Sequence, residues 1–333
     1  MVHHRQMSSP EALVGPAVDL DRLHAVTGDM RRAMASVIEG KDGPVRTALT
    51  VLLAEGHLLV EDVPGVGKTM LAKTLARTVD CTVRRIQFTP DLLPSDITGV
   101  SVFNQDTHGF EFRPGAIFAN VVVGDEINRA SPKTQSALLE SMEERQVTVD
   151  GHTYPLHPPF IVMATQNPIE MEGTYPLPEA QRDRFMARIS MGYPAPAAEL
   201  AMLDSHGGAS PLDALRPVTD AATVAALVRD VRRLYASPAV RQYVVDLAGA
   251  SRRSPQLRLG ASPRAALHLL RACRAHAALD GRDHVLPDDV HELAVPVLAH
   301  RLLLSGEARL AGLTEARAVQ DLLAEVPVPA RAR

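Results

Sequence analysis

The chain has 333 residues, 46% of them hydrophobic and 22% charged, and this length is typical of about two globular domains. The composition excludes a disordered or collagen-like chain, and the formal net charge of −4 gives no overall electrostatic basis for binding nucleic acid. No apolar stretch approaches the roughly 18 residues of a membrane-spanning helix, and the N-terminus lacks the apolar core of a signal peptide. Two cysteines, Cys81 and Cys273, are too few for a disulfide framework, so we expect free thiols and a cytoplasmic protein.

Short apolar runs alternate with helical stretches between residues 57 and 190, after a tail (1–18) and two helices that end near residues 39 and 55. This alternation predicts an α/β fold with a parallel sheet covered by helices on both faces. Two hairpins are expected as well. One spans 101–113 inside an insert at about 96–113, and the other spans about 146–156 and turns at Asp150-Gly151. The predicted strands are 57–61, 83–88, 120–123, 160–165 and 186–190.

The pattern changes after residue 193, where strand-like runs end. We therefore predict an α/β core over 19–195, a linker over 196–217 and an all-helical domain over 218–333. Helix starts are indicated at Ser237-Pro238, Ser262-Pro263 and Pro287, because serine favours the N-cap and proline the first helical position.

A strand, a glycine loop and a helix start follow one another over residues 57–69, the order that phosphate binding needs. Backbone N–H groups of such a loop cradle phosphate oxygens, and glycines remove side chains that would block the approach. The pattern G-x-x-x-x-G-K-S/T predicts that Lys68 reaches the β- and γ-phosphates and that the Thr69 hydroxyl binds Mg²⁺. The expected nucleotide contacts are Asp62, which replaces the first glycine, Val63, Pro64, Gly65, Val66, Gly67, Lys68, Thr69 and Met70.

A second buried strand ends in two carboxylates, Asp125 and Glu126. In this position Asp125 would hold Mg²⁺, and Glu126 would orient and deprotonate the attacking water. Gly124 stands where an apolar strand residue is expected. The fold and these motifs together predict a protein that binds and hydrolyses a nucleoside triphosphate. GTP is disfavoured, because guanine-binding proteins commonly use an Asn-Lys-x-Asp motif and no lysine follows Lys133.

The chain resembles AAA+ ATPases of the MoxR type over about residues 20–325. The resemblance is carried by VIEGKDGPVRTALTVLLAEGHLLVEDVPGVGKT (37–69), FRPGAIFANVVVGDEINRASPKTQSALLESMEERQVT (112–148), MATQNPIEMEGTYPLPEAQRDRF (163–185) and GASPRA (260–265). Gly124 departs from the family pattern, and Arg182 replaces a typically apolar residue.

The resemblance implies further site residues. Asn167 would be the sensor-1 residue at the γ-phosphate, or else a turn-forming asparagine before Pro168. Arg184 would be an arginine finger offered to the neighbouring subunit's ATP, or else a surface arginine. Arg264 would be sensor 2, acting in cis or in trans. Val37 and Ile38 would line the adenine pocket, or else form an ordinary apolar helix face.

The resemblance also implies Mg²⁺-dependent ATP hydrolysis in a homo-oligomeric ring, most simply a hexamer, with the helical domain as a lid. It implies chaperone-like remodelling or maturation of protein complexes, with a von Willebrand factor A-domain protein as partner and an unidentified client. A nucleotide-gated, weakly hydrolysing scaffold is the alternative outside the enzymes. A DNA motor is disfavoured because the 146–156 hairpin has no lysine or arginine.

Overall fold

A five-stranded parallel sheet organises the N-terminal part of the chain. The computed structural model describes residues 18–63, 65–167, 174–194, 196, 199–200 and 210–329. Strands of this part, in chain order, are β1 (Leu58–Glu61), β2 (Val83–Gln87), β3 (Gly99–Asn104), β4 (Gly109–Pro114), β5 (Val121–Asp125), β6 (Gln146–Val149), β7 (His152–Pro155), β8 (Ile161–Gln166) and β9 (Ala187–Ile189). The sheet has the order β2-β5-β8-β1-β9, and every neighbouring pair is parallel.

Helices cover both faces of this sheet, as predicted. Alternation along β1 sends Leu58 and Val60 into one apolar cluster and Leu59 into another on the opposite face. The result is a three-layer α/β/α arrangement. Its helices are α1 (Leu20–Ala35), α2 (Asp42–Leu53), α3 (Lys68–Thr78), α4 (Pro94–Thr98), α5 (Pro132–Glu144) and α6 (Glu179–Arg182), with a 3₁₀ turn at Ile127–Arg129.

Two antiparallel hairpins, β3–β4 and β6–β7, stand apart from the central sheet. The second turns at Asp150-Gly151, where both residues have positive φ, as a tight hairpin turn requires. The first begins two residues earlier than predicted, at Gly99, directly after the unpredicted α4. A Cβ at Gly99 would lie 2.4 Å from the carbonyl oxygen of Arg113, so the close strand pairing there requires glycine. Phe112 of β4 stacks on Tyr154 of β7, with ring centroids 3.9 Å apart, and so joins the two hairpins.

The C-terminal part is a helical lid. Ser237 and Ser262 accept backbone N–H groups at the helix starts predicted for them. Lid residues share one apolar cluster with α1, α2 and α3, so this cluster ties the lid to the core. The lid helices are Pro211–Ala214, Ala221–Arg232, Pro238–Arg253, Pro263–Leu279, Pro287–Leu298, Gly306–Leu310 and Glu315–Glu325, with a 3₁₀ turn at Ala299–Arg301.

The expectation of a strand-free C-terminal part is wrong. β10 (Leu257–Leu259) and β11 (Leu303–Leu304) form a short antiparallel pair with an irregular register. Segments of three and two residues are too short to show the alternation by which a strand is recognised in sequence.

Most of the predicted tail and much of the predicted linker lie outside the described residues, so the predicted domain limits stay predictions. Among the helices that the structure describes, none is both long enough and apolar enough to cross a membrane.

Candidate functional site

The predicted phosphate loop connects the carboxyl end of β1 to the first turn of α3. Gly65 and Gly67 have φ values of 85° and 88°, a backbone conformation that favours glycine, and Gly67 is the N-cap of α3. The Lys68 ammonium donates to the carbonyl oxygen of Asp62 over 2.7 Å and so lies across the mouth of the loop. Pro64, also predicted here, lies outside the described residues. The loop therefore presents N–H groups and a helix N-terminus to an anion.

Asp62, at the position of the missing first glycine, anchors the loop through its side chain. The carboxylate accepts the N–H of Val63 at 2.8 Å, the Ser190 hydroxyl at 2.8 Å and the N–H of Gly192 at 2.6 Å. Burial raises the pKa of Asp62, but the hydrogen bonds from Gly192, Ser190 and Val63 outweigh burial and hold that pKa below its usual value. Asp62 thus ties the phosphate loop to the segment that leaves β9 towards the lid. Lys41 binds the same segment, donating to the carbonyl oxygens of Gly192 and Tyr193.

The two predicted magnesium ligands lie side by side. The Thr69 hydroxyl donates to Oδ2 of Asp125 over 3.3 Å, and Thr165 donates to Oδ1 over 3.2 Å. Hydroxyl and carboxylate oxygens are the donors that Mg²⁺ prefers, so the residues present fit this ion. The Arg85 guanidinium is also there, with Nε 2.5 Å from Oδ2 of Asp125. A cation that binds Asp125 through Oδ2 would compete with Arg85.

Glu126 follows β5 in the left-handed backbone conformation, with a φ of 57°. Non-glycine residues adopt this conformation rarely, and it often marks functional sites. The Glu126 carboxylate accepts from Gln87 and from Arg129, each over 2.9 Å, and its N–H donates to the Thr165 hydroxyl. The side chain is 33% exposed, so solvent reaches the carboxylate.

The structure explains why glycine occupies position 124. A Cβ on Gly124 would lie 3.2 Å from the ring of Phe88, which is fully buried beside β5. The aromatic side chain fills the space that an apolar strand residue would use.

Asn167 lies between the acidic pair and the phosphate loop. It follows β8, which separates β5 from β1 in the sheet, and is only 7% exposed. Carboxyl ends of parallel strands meet at one edge, so Asn167, Glu126 and the loop share this edge. Of the other predicted contacts, Ile38 is buried in the core, Val37 and Val66 pack partly buried against the same cluster, and Met70 is 36% exposed.

Arg184 and Arg264 lie elsewhere and converge on one carboxylate. Arg184 Nε lies 3.2 Å from Oε2 of Glu143, and Arg264 pairs with Oε1 of the same side chain. Arg184 lies three residues before the start of β9, and Glu143 lies in the last turn of α5, which returns from the carboxyl end of β5. Both positions are at the amino ends of the strands. These arginines therefore lie at the opposite end of the strands from the phosphate loop of their own subunit.

The loop that carries Arg184 is fixed by a buried arginine of the lid. Arg301 donates to the carbonyl oxygen of Phe185 over 2.6 Å and to that of Asp183 over 3.0 Å, and its Nε lies 2.9 Å from the Asp183 carboxylate. Burial lowers the pKa of Arg301 to about 10, although the Asp183 carboxylate opposes this shift. Arg182, predicted as an additional charge here, lies at the end of α6 and is half-buried.

The residues that sequence reasoning missed include five that hold predicted site residues or the loop that carries Arg184. Arg85 and Gln87 alternate along β2, which pairs directly with β5, and this polar alternation was the available signal. The other three residues could not be found from neighbouring residues, because their partners are distant in the chain. They are Glu143, Thr165 and Arg301.

Comparison with known proteins finds two matching family models and several relatives. Residues 57–187 match the family described as the ATPase family associated with various cellular activities (AAA), and residues 249–322 match the AAA lid domain. YeaC of Bacillus subtilis, an uncharacterised protein, is 48% identical over 92% of this chain and 96% of its own length. Chaperone MoxR1 of Mycobacterium tuberculosis is 40% identical over 96% of this chain and 86% of its own length.

A solved structure shows the same architecture. The crystal structure of an ATPase candidate from Cytophaga hutchinsonii superimposes with a TM-score of 0.86 and 36% sequence identity. The match covers 93% of this chain and 98% of that one.

Proposed function

Because the chain belongs to the MoxR family of AAA+ ATPases, we propose that it hydrolyses ATP with Mg²⁺ in a homo-oligomeric ring, most simply a hexamer. The observation that carries this proposal is the meeting of Thr69 and Asp125, 3.3 Å apart, beside the glycine loop and Glu126. This is the set of groups that phosphoryl transfer to water requires.

Each group has a distinct task in the reaction. The loop N–H groups and Lys68 bind the phosphates, and Thr69 and Asp125 would hold Mg²⁺, which supplies charge neutralisation at the β- and γ-phosphates. Glu126 accepts a proton from the water whose oxygen attacks the γ-phosphorus, while the bond to the bridging oxygen breaks to give ADP and phosphate. Asn167 orients this water and the γ-phosphate.

Arg184 and Arg264 complete the site from the adjacent subunit. Both lie at the amino ends of the strands, paired with Glu143, so each subunit needs a neighbour for its own hydrolysis. This arrangement favours sensor 2 acting in trans. An arginine finger can raise the rate by about 10³- to 10⁵-fold.

The work of the ring is chaperone-like remodelling or maturation of protein complexes, in the cytoplasm where ATP is abundant. Family membership supports this, as does the name of the mycobacterial relative. The β3–β4 hairpin carries an aromatic pair, Phe103 and Phe110, which are 50% and 75% exposed and fit contact with a polypeptide. A von Willebrand factor A-domain protein is the proposed partner.

The test is the rate of MgATP hydrolysis per subunit against protein concentration, for the wild type, Glu126→Gln and the exposed control Glu140→Gln. A rate that rises with concentration, is kept in the control and is lost in Glu126→Gln supports a ring with shared sites. A flat background equal to that of Glu126→Gln would overturn ATP hydrolysis by the isolated chain and favour the nucleotide-gated scaffold.

A further inference from the structure

Glu143 is the shared partner of the two arginines assigned to the neighbouring subunit's ATP. Its Oε2 lies 3.2 Å from Arg184 Nε, and its Oε1 pairs with Arg264 Nη2. All three side chains are between 29% and 36% exposed, so these pairs can open without uncovering a buried charge. A guanidinium binds carboxylate and phosphate oxygens with the same geometry. A γ-phosphate can therefore replace Glu143.

The negative charge of Glu143 is unfavourable at its position in the fold unless the two arginines are nearby. It lies in the last turn of α5, which has no basic residue, and a carboxylate is disfavoured there by the helix dipole. The two arginines compensate this charge. Asp183, which also contacts Arg264 over 3.5 Å, differs because Ser262 and Arg301 bind it as well. When both arginines move to a phosphate, Glu143 loses both of these ion pairs, whereas Asp183 keeps its contacts with Ser262 and Arg301.

The end of α5 is also the base of the second hairpin. Arg145, two residues after Glu143, pairs with Glu55 over 2.5 Å, and its carbonyl oxygen accepts the N–H of Leu156 at the other end of the hairpin. β6 begins at the next residue. Glu143 therefore lies two residues from the root of the hairpin.

We propose that Glu143 is a positioning residue that holds Arg184 and Arg264 in the absence of ATP and releases them to the γ-phosphate bound by the adjacent subunit. This inference rests on the proposed function. It makes ATP binding a competition between a carboxylate of one subunit and a phosphate bound by the next.

The test measures equilibrium binding of a fluorescent ATP analogue with Mg²⁺ to rings carrying Glu126→Gln, so that hydrolysis does not interfere. Partly exposed ion pairs are individually weak, and two are lost, so Glu143→Gln is expected to tighten binding by about three- to ten-fold. Glu144→Gln removes an exposed charge from the next residue and is expected to leave the Kd unchanged. Glu143→Asp, which keeps the carboxylate, is expected to lie between Glu143→Gln and the parent. Sedimentation shows that the compared rings have the same size.

Three further results test the role of Glu143 and separate its failure from that of the proposed function. The tightening must disappear when Arg184→Ala and Arg264→Ala are combined with Glu143→Gln, because the competed groups are then absent. Unchanged or weaker binding in Glu143→Gln, with hydrolysis still lost in Arg184→Ala, would overturn the role of Glu143 alone. Wild-type hydrolysis by the single variant Arg184→Ala would overturn the shared site of the proposed function, and this inference with it.

Discussion

Arg85 and Asp125 form an ion pair of 2.5 Å at the position proposed for a magnesium ligand. Asp125 is almost completely buried, whereas Arg85 reaches it from the adjacent strand β2 and stays 56% exposed. Arg85 thus supplies positive charge that balances this carboxylate.

Replacing Arg85 is expected to lower the Mg²⁺ requirement. Arg85→Met keeps the aliphatic stem but removes the competing charge, so we expect the free Mg²⁺ concentration for half-maximal hydrolysis to fall about three-fold. The measurement is the ATPase rate against free Mg²⁺ at saturating ATP. Arg129→Met is the control, because Arg129 pairs with Glu126 instead. A higher Mg²⁺ requirement in Arg85→Met would show that Arg85 assists the ion.

Asp62→Gly is expected to destabilise the protein although it introduces the more common loop residue. The change removes three hydrogen bonds to a carboxylate, so we expect the free energy of unfolding in urea to fall by about 2–4 kcal/mol. Ser190→Ala, which removes one of these bonds, should cost about 1 kcal/mol. Since both changes affect the same contact, the double variant should cost less than the sum. Wild-type stability of Asp62→Gly would contradict an anchoring role.

His57 is expected to make the fold sensitive to mild acid. It is buried between the carbonyl oxygen of Met142 and the N–H of Val162, and burial lowers the pKa of His57 to about 4. As the pH falls below 6.5, His57 becomes protonated in the unfolded chain but stays neutral in the folded chain. The free energy of unfolding therefore decreases until about pH 4. The wild type should lose about 3 kcal/mol more than His57→Gln between pH 7 and pH 4. Denaturant titrations of both proteins across this range measure the difference. Parallel pH profiles would contradict this assignment.

Gly124→Val is expected to overfill the space beside Phe88. The added atoms would press on a ring that is only 3.2 Å from a Cβ at this position, which we expect to cost about 1–3 kcal/mol of unfolding free energy. Combining it with Phe88→Leu should recover part of that cost, because the smaller side chain vacates the same space. Purely additive costs in urea unfolding would show that Phe88 does not occupy the space.

Local signals in the sequence predicted much of the fold and the centre of the candidate site. The glycine loop before Lys68, the Asp150-Gly151 turn and the Ser262 cap each need only neighbouring residues, and each is found where it was expected. The parallel sheet was predicted from the alternation of apolar runs and helical stretches, which is also a local pattern in the sequence.

Features that depend on strand order or on distant contacts could not be predicted. Arg85 reaches Asp125 only because β2 lies beside β5 in the sheet. Strand order does not follow chain order here, because β5 and β8 lie between β2 and β1. Glu143 and Arg264 meet across domains, and nothing near either residue in the chain indicates the other. The placement of Arg264 relative to the phosphate loop therefore required the structure.

The stacked rings of Phe112 and Tyr154 have a mechanical consequence. An isolated two-stranded ribbon is barely stable in water, yet both inserts of this chain are such ribbons. The two stacked rings give each ribbon a packing partner, so we expect a displacement of one ribbon to move the other. The joined ribbons meet the core at two separate points, one beside Gly99 and one at the end of α5.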